Sequence, residues 1–252
     1  MRYWLVMPAA GSGRRFGADG PKQYAPLAGR TVIEWALAPF LADARCAHVV
    51  VALAPDDPSW PAIAARLGTR VANTPSGVAP LTVVGGEQRS QSVRRALAEL
   101  EGRAGPDDWV LVHDAARPCL AAADLERLLA ALAAHPVGGV LAAPVADTLK
   151  REERSTAEAA TVHTAQTVDR SGLWRALTPQ MFRYRQLCTA LDQAHAAGRF
   201  PSDEAQALEW LGEHPALIEG AATNLKITSG ADLVLAAAVL AARRSQAVGG
   251  SS

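Results

Sequence analysis

From residue 3 to residue 145 the chain alternates short, unbroken apolar runs with longer stretches that are apolar on one face only. The runs at 3–8 (YWLVMP), 48–54 (HVVVALA), 109–113 (WVLVH) and 140–145 (VLAAPV) show little polar alternation, so each reads as a strand buried on both sides. Weaker strand signals fall at 71–72 and 81–84. Between them lie helical patterns at 31–41, 59–67 and 89–100, and a fourth with Leu125, Leu128, Leu129 and Leu132 on one face. Doubly buried strands alternating with amphipathic helices predict an α/β fold, Rossmann-like and mostly parallel, with helices on both faces of the sheet. In such sheets ligands bind beyond the carboxyl ends of the strands. The segments following Pro8, Val84, His113 and Val145 are therefore where a site is expected.

Residues 147–166 break the rhythm. They are polar, carry Lys150, Arg151, Glu152, Glu153, Arg154 and Glu158, and lack a helical stripe. Such a stretch is either a disordered insert or an excursion that packs on another subunit. Helical patterns return at 184–197 and 203–211, a strand is expected at 224–228, and an alanine-rich helix at 232–244. A chain of 252 residues suits one sizeable domain, taken as residues 1–244, with 245–252 as a flexible tail.

The charge balance excludes some functions. With 25 basic and 25 acidic residues the formal net charge is zero, which argues against a nucleic-acid binder. The three cysteines, Cys46, Cys119 and Cys188, lie far apart and form no paired motif, as in a reduced cytoplasmic protein. The longest apolar stretch, 233–242, is about half a membrane span.

The first strand ends in PAAGSGRRFG, residues 8–17, followed by PKQY at 21–24. Small residues there let the backbone approach a ligand and offer amides to an anion. A dinucleotide fingerprint would need glycine where Phe16 stands, and its ribose-binding acid would be Glu34, inside a helical pattern. A phosphate loop of the Walker type would need Gly-Lys-Ser/Thr, whereas Lys22 lies between Pro21 and Gln23. What remains is a glycine loop with cations at Arg14, Arg15 and Lys22, suited either to a triphosphate or to a solvated surface loop.

The strand at 109–113 delivers Asp114 to the sheet edge, with Arg117 three residues on. A carboxylate there can face a metal, a ribose hydroxyl or a polyol, or can simply open a turn. His113 is placed to point into the core. In GGEQRSQS, residues 85–92, Ser90 is a candidate N-cap. Lys226 interrupts an apolar run, so its ammonium must meet an anion or reach solvent.

Taken with APVADTLKR (143–151), TVDRSGLWRALTPQMF (167–182), SDEAQALE (202–209) and NLKIT (224–228), these segments resemble the 2-C-methyl-D-erythritol 4-phosphate cytidylyltransferase family. The resemblance implies a nucleotidyltransferase-type fold that moves CMP from CTP to a methylerythritol phosphate and releases pyrophosphate. It implies catalytic contacts from Arg15, Lys22 and Lys226 to the triphosphate. Ala9, Ala10, Gly86, Glu87 and Ser92 would surround the cytosine, with Pro8, Gly11, Asp114 and Ala115 near the ribose and phosphates. Asp114, Arg117, Thr178 and Lys226 would hold the acceptor, joined by Thr148 and Arg170 of a second subunit. Residues 146–170 would form an arm that clasps this partner in a homodimer. Mg²⁺ or another divalent cation would ride mainly on the CTP phosphates, with no direct protein ligand. The acceptor phosphate is itself the nucleophile, so no general base is required. A nucleotidyltransferase of the same fold acting on another polyol phosphate is the nearest alternative. A non-catalytic nucleotide-binding module and a nicotinamide oxidoreductase are more distant ones.

Overall fold

A computed structural model describes residues 1–11, 20–71, 74–153 and 161–249. In chain order, β1 (Tyr3–Pro8) is followed by two short strands, β2 (Pro26–Leu27) and β3 (Arg30–Thr31), then α1 (Val32–Leu41), β4 (Cys46–Leu53) and α2 (Trp60–Val71). Next come β5 (Leu81–Val84), α3 (Arg89–Ala98), β6 (Trp109–Val112), α4 (Ala122–Leu132) and β7 (Gly138–Pro144). After β8 (Leu149–Glu152), β9 (Thr164–Val168) and β10 (Trp174–Arg183), the chain closes with α5 (Tyr184–Ala196), α6 (Glu204–Glu209), β11 (Ala216–Glu219) and α7 (Gly230–Gly249).

Among the described residues the main sheet has seven strands in the order β11-β7-β10-β6-β1-β4-β5. Every neighbouring pair is parallel except those of β10, which runs antiparallel between β6 and β7. The alternation along each strand serves both faces. Leu5, Met7, Val49 and Val51 pack under Ile33, Leu37 and Phe40 of α1 and Leu128 of α4. Val6, Val50 and Ala52 face the other way, toward Val93 and Leu97 of α3, Leu187 of α5 and Leu208 of α6. The α/β, mostly parallel architecture expected from the apolar runs is the one observed. α7 lies on a smaller cluster with Leu27, Val32, Cys119 and Ile227.

Glu34 shows why a short motif misleads. The Thr31 amide and hydroxyl both donate to its Oε2, at 2.9 and 2.8 Å, capping α1. Arg66 and Arg70 of α2 close on the same carboxylate at 3.2 and 3.1 Å. The residue is 1 % exposed and ties two helices together, far from any ribose role.

Several expectations are corrected. Val71 ends α2 rather than opening a strand, and Ala72 lies outside the described residues. Residues 224–228 are not a strand. Asn224 donates to Thr178 O at 2.7 Å and Ile227 N to Ala116 O at 2.8 Å, so side-chain and loop bonds replace a ladder there. Two strands of the main sheet went unforeseen. In β10 the pairing with β7 shifts register between Ala176 and Gln180, where Pro179, lacking an N–H, can sit without breaking a ladder. β11 is a four-residue edge strand too short to stand out. The polar stretch 147–166 contributes a separate hairpin, with β8 and β9 paired antiparallel. α7 continues through the expected tail to Gly249, with Gln246 and Ala247 the good helix formers beyond residue 244. Ser90 does not cap α3. Gln88 does, its amide donating to Gln91 Oε1 at 3.0 Å, while Ser90 is buried against His195. No helix among the described residues is long and apolar enough to cross a membrane.

Candidate active site

Three of the four expected places come together at the carboxyl edge of the sheet. A cavity of about 200 Å³ is lined by Pro8 to Gly11, by Gly86 to Arg89 with Ser92, and by Asp114 to Ala116, closed by Lys22, Gln23 and Lys226. The segment after β7 leads to the hairpin instead.

The first wall is the start of the glycine loop. Ala9 N donates to Ala52 O at 2.7 Å, continuing the β1–β4 pairing past the strand end. Gln23 is buried, and its Nε2 donates to Ala9 O at 2.7 Å and Gly11 O at 3.2 Å. A side chain from the turn Lys22–Tyr24 thus holds the loop open by its carbonyls, and the same turn sets the half-buried Lys22 at the cavity edge. Arg14, Arg15 and Phe16 lie outside the described residues.

The second wall depends on absent side chains. A Cβ at Gly85 would come within 2.5 Å of Ala10 Cβ and 2.8 Å of Ser92 Oγ, and one at Gly86 would strike Gln91 Cβ. Ser92 is buried, accepts from Gly86 N at 3.0 Å, and reaches Gln88 O at 3.3 Å. It therefore fixes the Gly86–Gln88 backbone as well as lining the cavity. Glu87 and Gln88 are exposed at the rim.

The floor is Asp114, whose carboxylate is crowded by cations. Arg89 Nε meets Oδ1 at 2.9 Å, Lys226 Nζ meets Oδ2 at 2.8 Å, and Arg117 Nε stands 3.6 Å from Oδ2. Burial alone would raise this carboxyl, but Arg89, Lys226 and Arg117 outweigh it and hold it well below the usual carboxylate range. Lys226 itself is 40 % exposed, so its charge is shared between Asp114 and the cavity.

Behind Asp114 runs a chain of buried hydrogen bonds. Asp114 N donates to Thr178 Oγ at 3.1 Å, and that hydroxyl lies 2.9 Å from His113 Nδ1. His113 Nε2 is 3.1 Å from Arg117 O, which can only accept, so the proton sits on Nε2 and Nδ1 receives the Thr178 hydroxyl. Burial pushes His113 down to about 4, so the ring is neutral and structural. Arg117 is buried, with Nη1 donating to Asn224 O at 2.8 Å. Thr178 is buried too, its hydroxyl engaged by these neighbours.

Thr148 and Arg170 are exposed, and neither is in the lining of this cavity. Arg89, Gln23 and Glu204 are the site residues that sequence reasoning did not single out. Arg89 binds Glu204 across 115 residues of chain, a pairing no local motif reveals. Among the described residues no group of three or more His, Cys, Asp or Glu side chains could hold a metal ion. The Asp114 oxygens are taken up by Arg89 and Lys226, so the donors present suit a cation carried on a ligand's phosphates rather than a protein cage.

Small-residue walls at the carboxyl ends of parallel strands, above a carboxylate ringed by cations, define a nucleotidyltransferase of the α/β class. The chain belongs to the 2-C-methyl-D-erythritol 4-phosphate cytidylyltransferase family, whose sequence model matches residues 3–242. It is 53 % identical over 244 residues to the 2-C-methyl-D-erythritol 4-phosphate cytidylyltransferase of Halorhodospira halophila, covering 96 % of each chain. The enzyme of that name from Ectopseudomonas mendocina is 52 % identical over 233 residues, 92 % of this chain and 93 % of that one. Among solved structures, a 4-diphosphocytidyl-2C-methyl-D-erythritol synthase superposes with a TM-score of 0.77 at 36 % identity, over 95 % of this chain and 99 % of that one. A 2-C-methyl-D-erythritol 4-phosphate cytidylyltransferase from Thermus thermophilus gives 0.71 at 35 % identity, over 95 % and 98 %.

Proposed function

We propose that the cavity binds CTP and that the enzyme transfers its CMP unit to 2-C-methyl-D-erythritol 4-phosphate. The observation that carries this is the lining of the cavity, in which the small Ala9, Ala10 and Gly86 with Ser92 offer a slot beside the charged Lys22, Asp114 and Lys226. A flat pyrimidine fits the slot, where backbone groups can read its edge, with Glu87 at the rim. Pro8, Gly11, Asp114 and Ala115 then face the ribose and phosphates.

The acceptor's phosphate monoester, with a second pKa of about 6, is mostly dianionic at neutral pH and needs no general base. One of its oxygens attacks the α-phosphorus of CTP. A new P–O bond forms as the α–β bridge breaks, and pyrophosphate departs. Repulsion between two anions is the obstacle, and Arg15, Lys22 and Lys226 answer it by stabilising the charge on the α-phosphorus and the leaving group. A divalent cation such as Mg²⁺, bound to the CTP phosphates, would supply further charge neutralisation. Arg117 and Asp114 hold the acceptor, and Thr178 serves it through the Asp114 backbone it supports.

Thr148 and Arg170 complete the acceptor site from a second copy of the chain, with residues 146–170 acting as the arm of a homodimer. The exposed Val162, Leu173 and Trp174 offer that arm an apolar surface to bury. Free cysteines suit a reducing, cytoplasmic setting.

Pyrophosphate release from CTP, UTP, ATP and GTP, each with methylerythritol phosphate and with other polyol phosphates, tests the assignment. CTP with methylerythritol phosphate is expected to exceed each other nucleotide by roughly 100-fold or more in kcat/KM, as buried hydrogen-bond mismatches dictate. Comparable turnover with UTP would overturn the cytosine slot, and a better acceptor would overturn the substrate.

A further inference from the structure

Glu204 is fully buried, with no exposed surface, at the first turn of α6. Its two carboxylate oxygens are gripped by one guanidinium, with Arg89 Nη1 to Oε1 at 2.7 Å and Nη2 to Oε2 at 3.0 Å. This two-pronged pairing fixes the plane and the rotation of the guanidinium together. The N–H on Nε is thereby aimed at Asp114 Oδ1, at 2.9 Å.

Glu204 is in turn immobilised from both sides. Asp203 accepts from Gln206 N at 2.9 Å and from Gln180 Nε2 at 3.0 Å, and Ala205 N donates to Gln180 Oε1 at 2.9 Å. The rigid frame is therefore β10, through Gln180, then α6, then Arg89, then Asp114. With Oδ1 pinned, Oδ2 is the oxygen left facing Lys226. We infer that Glu204 is a positioning residue for CMP transfer, acting through Arg89 to set the direction of the Asp114 carboxylate and hence the place of the Lys226 ammonium. This rests on the assignment of the cavity as the transfer site.

A buried carboxylate in such a frame could merely hold α6 in place, so the test must separate position from stability. Glu204→Gln keeps the shape but loses one arm of the grip. Leu208→Ala empties a buried position on the same helix without touching the charges, and serves as the stability control. Glu204→Gln is expected to lower kcat more than fivefold beyond whatever Leu208→Ala does at a matched loss of melting temperature. A smaller difference overturns the inference.

The paired change Arg89→Met with Glu204→Met replaces the ion pair by apolar groups of similar length, a swap that commonly preserves folding. It is expected to recover melting temperature but not kcat. It should also bring an acid limb into the kcat/KM profile, because Asp114 then keeps only Lys226 and Arg117 beside it and rises toward the ordinary carboxylate range. Glu204→Gln leaves Arg89 in place and should not move that limb upward. A paired variant that turns over like the wild type overturns the inference. Asp114→Asn, assayed alongside, tells the two claims apart. If it is fully active, the cavity assignment fails. If it is inactive while Glu204→Gln is unaffected, only the role of Glu204 fails.

Discussion

The carboxyl edge of the main sheet and the β8–β9 hairpin put charge to opposite uses. At the sheet edge, Arg89, Arg117 and Lys226 converge on the buried Asp114, with Arg89 and Lys226 brought from distant parts of the chain. On the hairpin, Lys150, Arg151, Glu152 and Glu153 are all exposed, and the contacts are local, such as Lys150 Nζ to Thr167 Oγ at 2.7 Å. The first region has its partners within one chain, so its electrostatics are worth a great deal in a low dielectric. The second leaves its charges in solvent, where their contacts stay local. Charges that are worth little where they stand in one chain acquire value if a second chain covers them.

Four experiments press on this contrast, beginning with the largest expected effect. Lys226→Ala should cut kcat/KM by roughly 100- to 1,000-fold, the usual loss for one group aimed at transition-state charge. Because the side chain is part-exposed and Asp114 keeps Arg89, melting temperature should stay within about 2 °C. A collapse in stability that accounts for the lost activity would make Lys226 a structural residue.

Arg170→Ala should be nearly as inactive although Arg170 is exposed and absent from its own chain's cavity lining. Mixing it with Lys22→Ala after dissociation and reassembly should restore about a quarter of wild-type activity, since half of the dimers are mixed and each of those has one intact site. No recovery, with subunit exchange confirmed, would confine Arg170 to its own chain and remove the contrast between the two regions.

Gly85→Ala should act within the cavity alone. Its methyl group would collide with Ala10 and Ser92, raising the KM for CTP several-fold and costing about 1–3 kcal/mol of stability, typical of overpacking. Unchanged nucleotide affinity would show that Ala10 and Ser92 do not shape the base slot.

The last effect, on stability alone, belongs to His113. Its folded value is depressed to about 4 from the ordinary 6.5 of the unfolded chain, so protons favour unfolding. The contribution is complete above pH 6.5 and drains away as pH falls toward 4, on the order of 1 kcal/mol per pH unit. Chemical denaturation across that window should be flatter for His113→Gln than for the wild type. The Asp114 carboxylate, held far lower, yields only at more acid pH.

Much of this architecture was legible from residues 3–145, because a strand buried on both faces leaves a continuous apolar run and an amphipathic helix leaves a stripe. The cavity walls were legible for a related reason, since Pro8 to Gly11, Gly86 and Asp114 each follow such a run. β10 was hidden because Pro179 and the register shift at Ala176–Gln180 interrupt its pattern. Residues 224–228 looked like a strand because alternation cannot distinguish a ladder from an extended segment held by side chains such as Asn224.

By itself, then, the sequence determined the class of the fold, the loops that line the cavity, and the family through motifs running from Pro8 to Thr228. The tertiary structure alone decided which charges answer one another. Arg89 finds Glu204 across 115 residues and Asp114 across 25. Lys226 finds Asp114, and Gln23 holds the glycine loop by its carbonyls. The physical reason is that hydrophobic patterning is periodic and local, written into neighbouring residues. A buried ion pair depends on angles and ångströms set only when distant elements have packed.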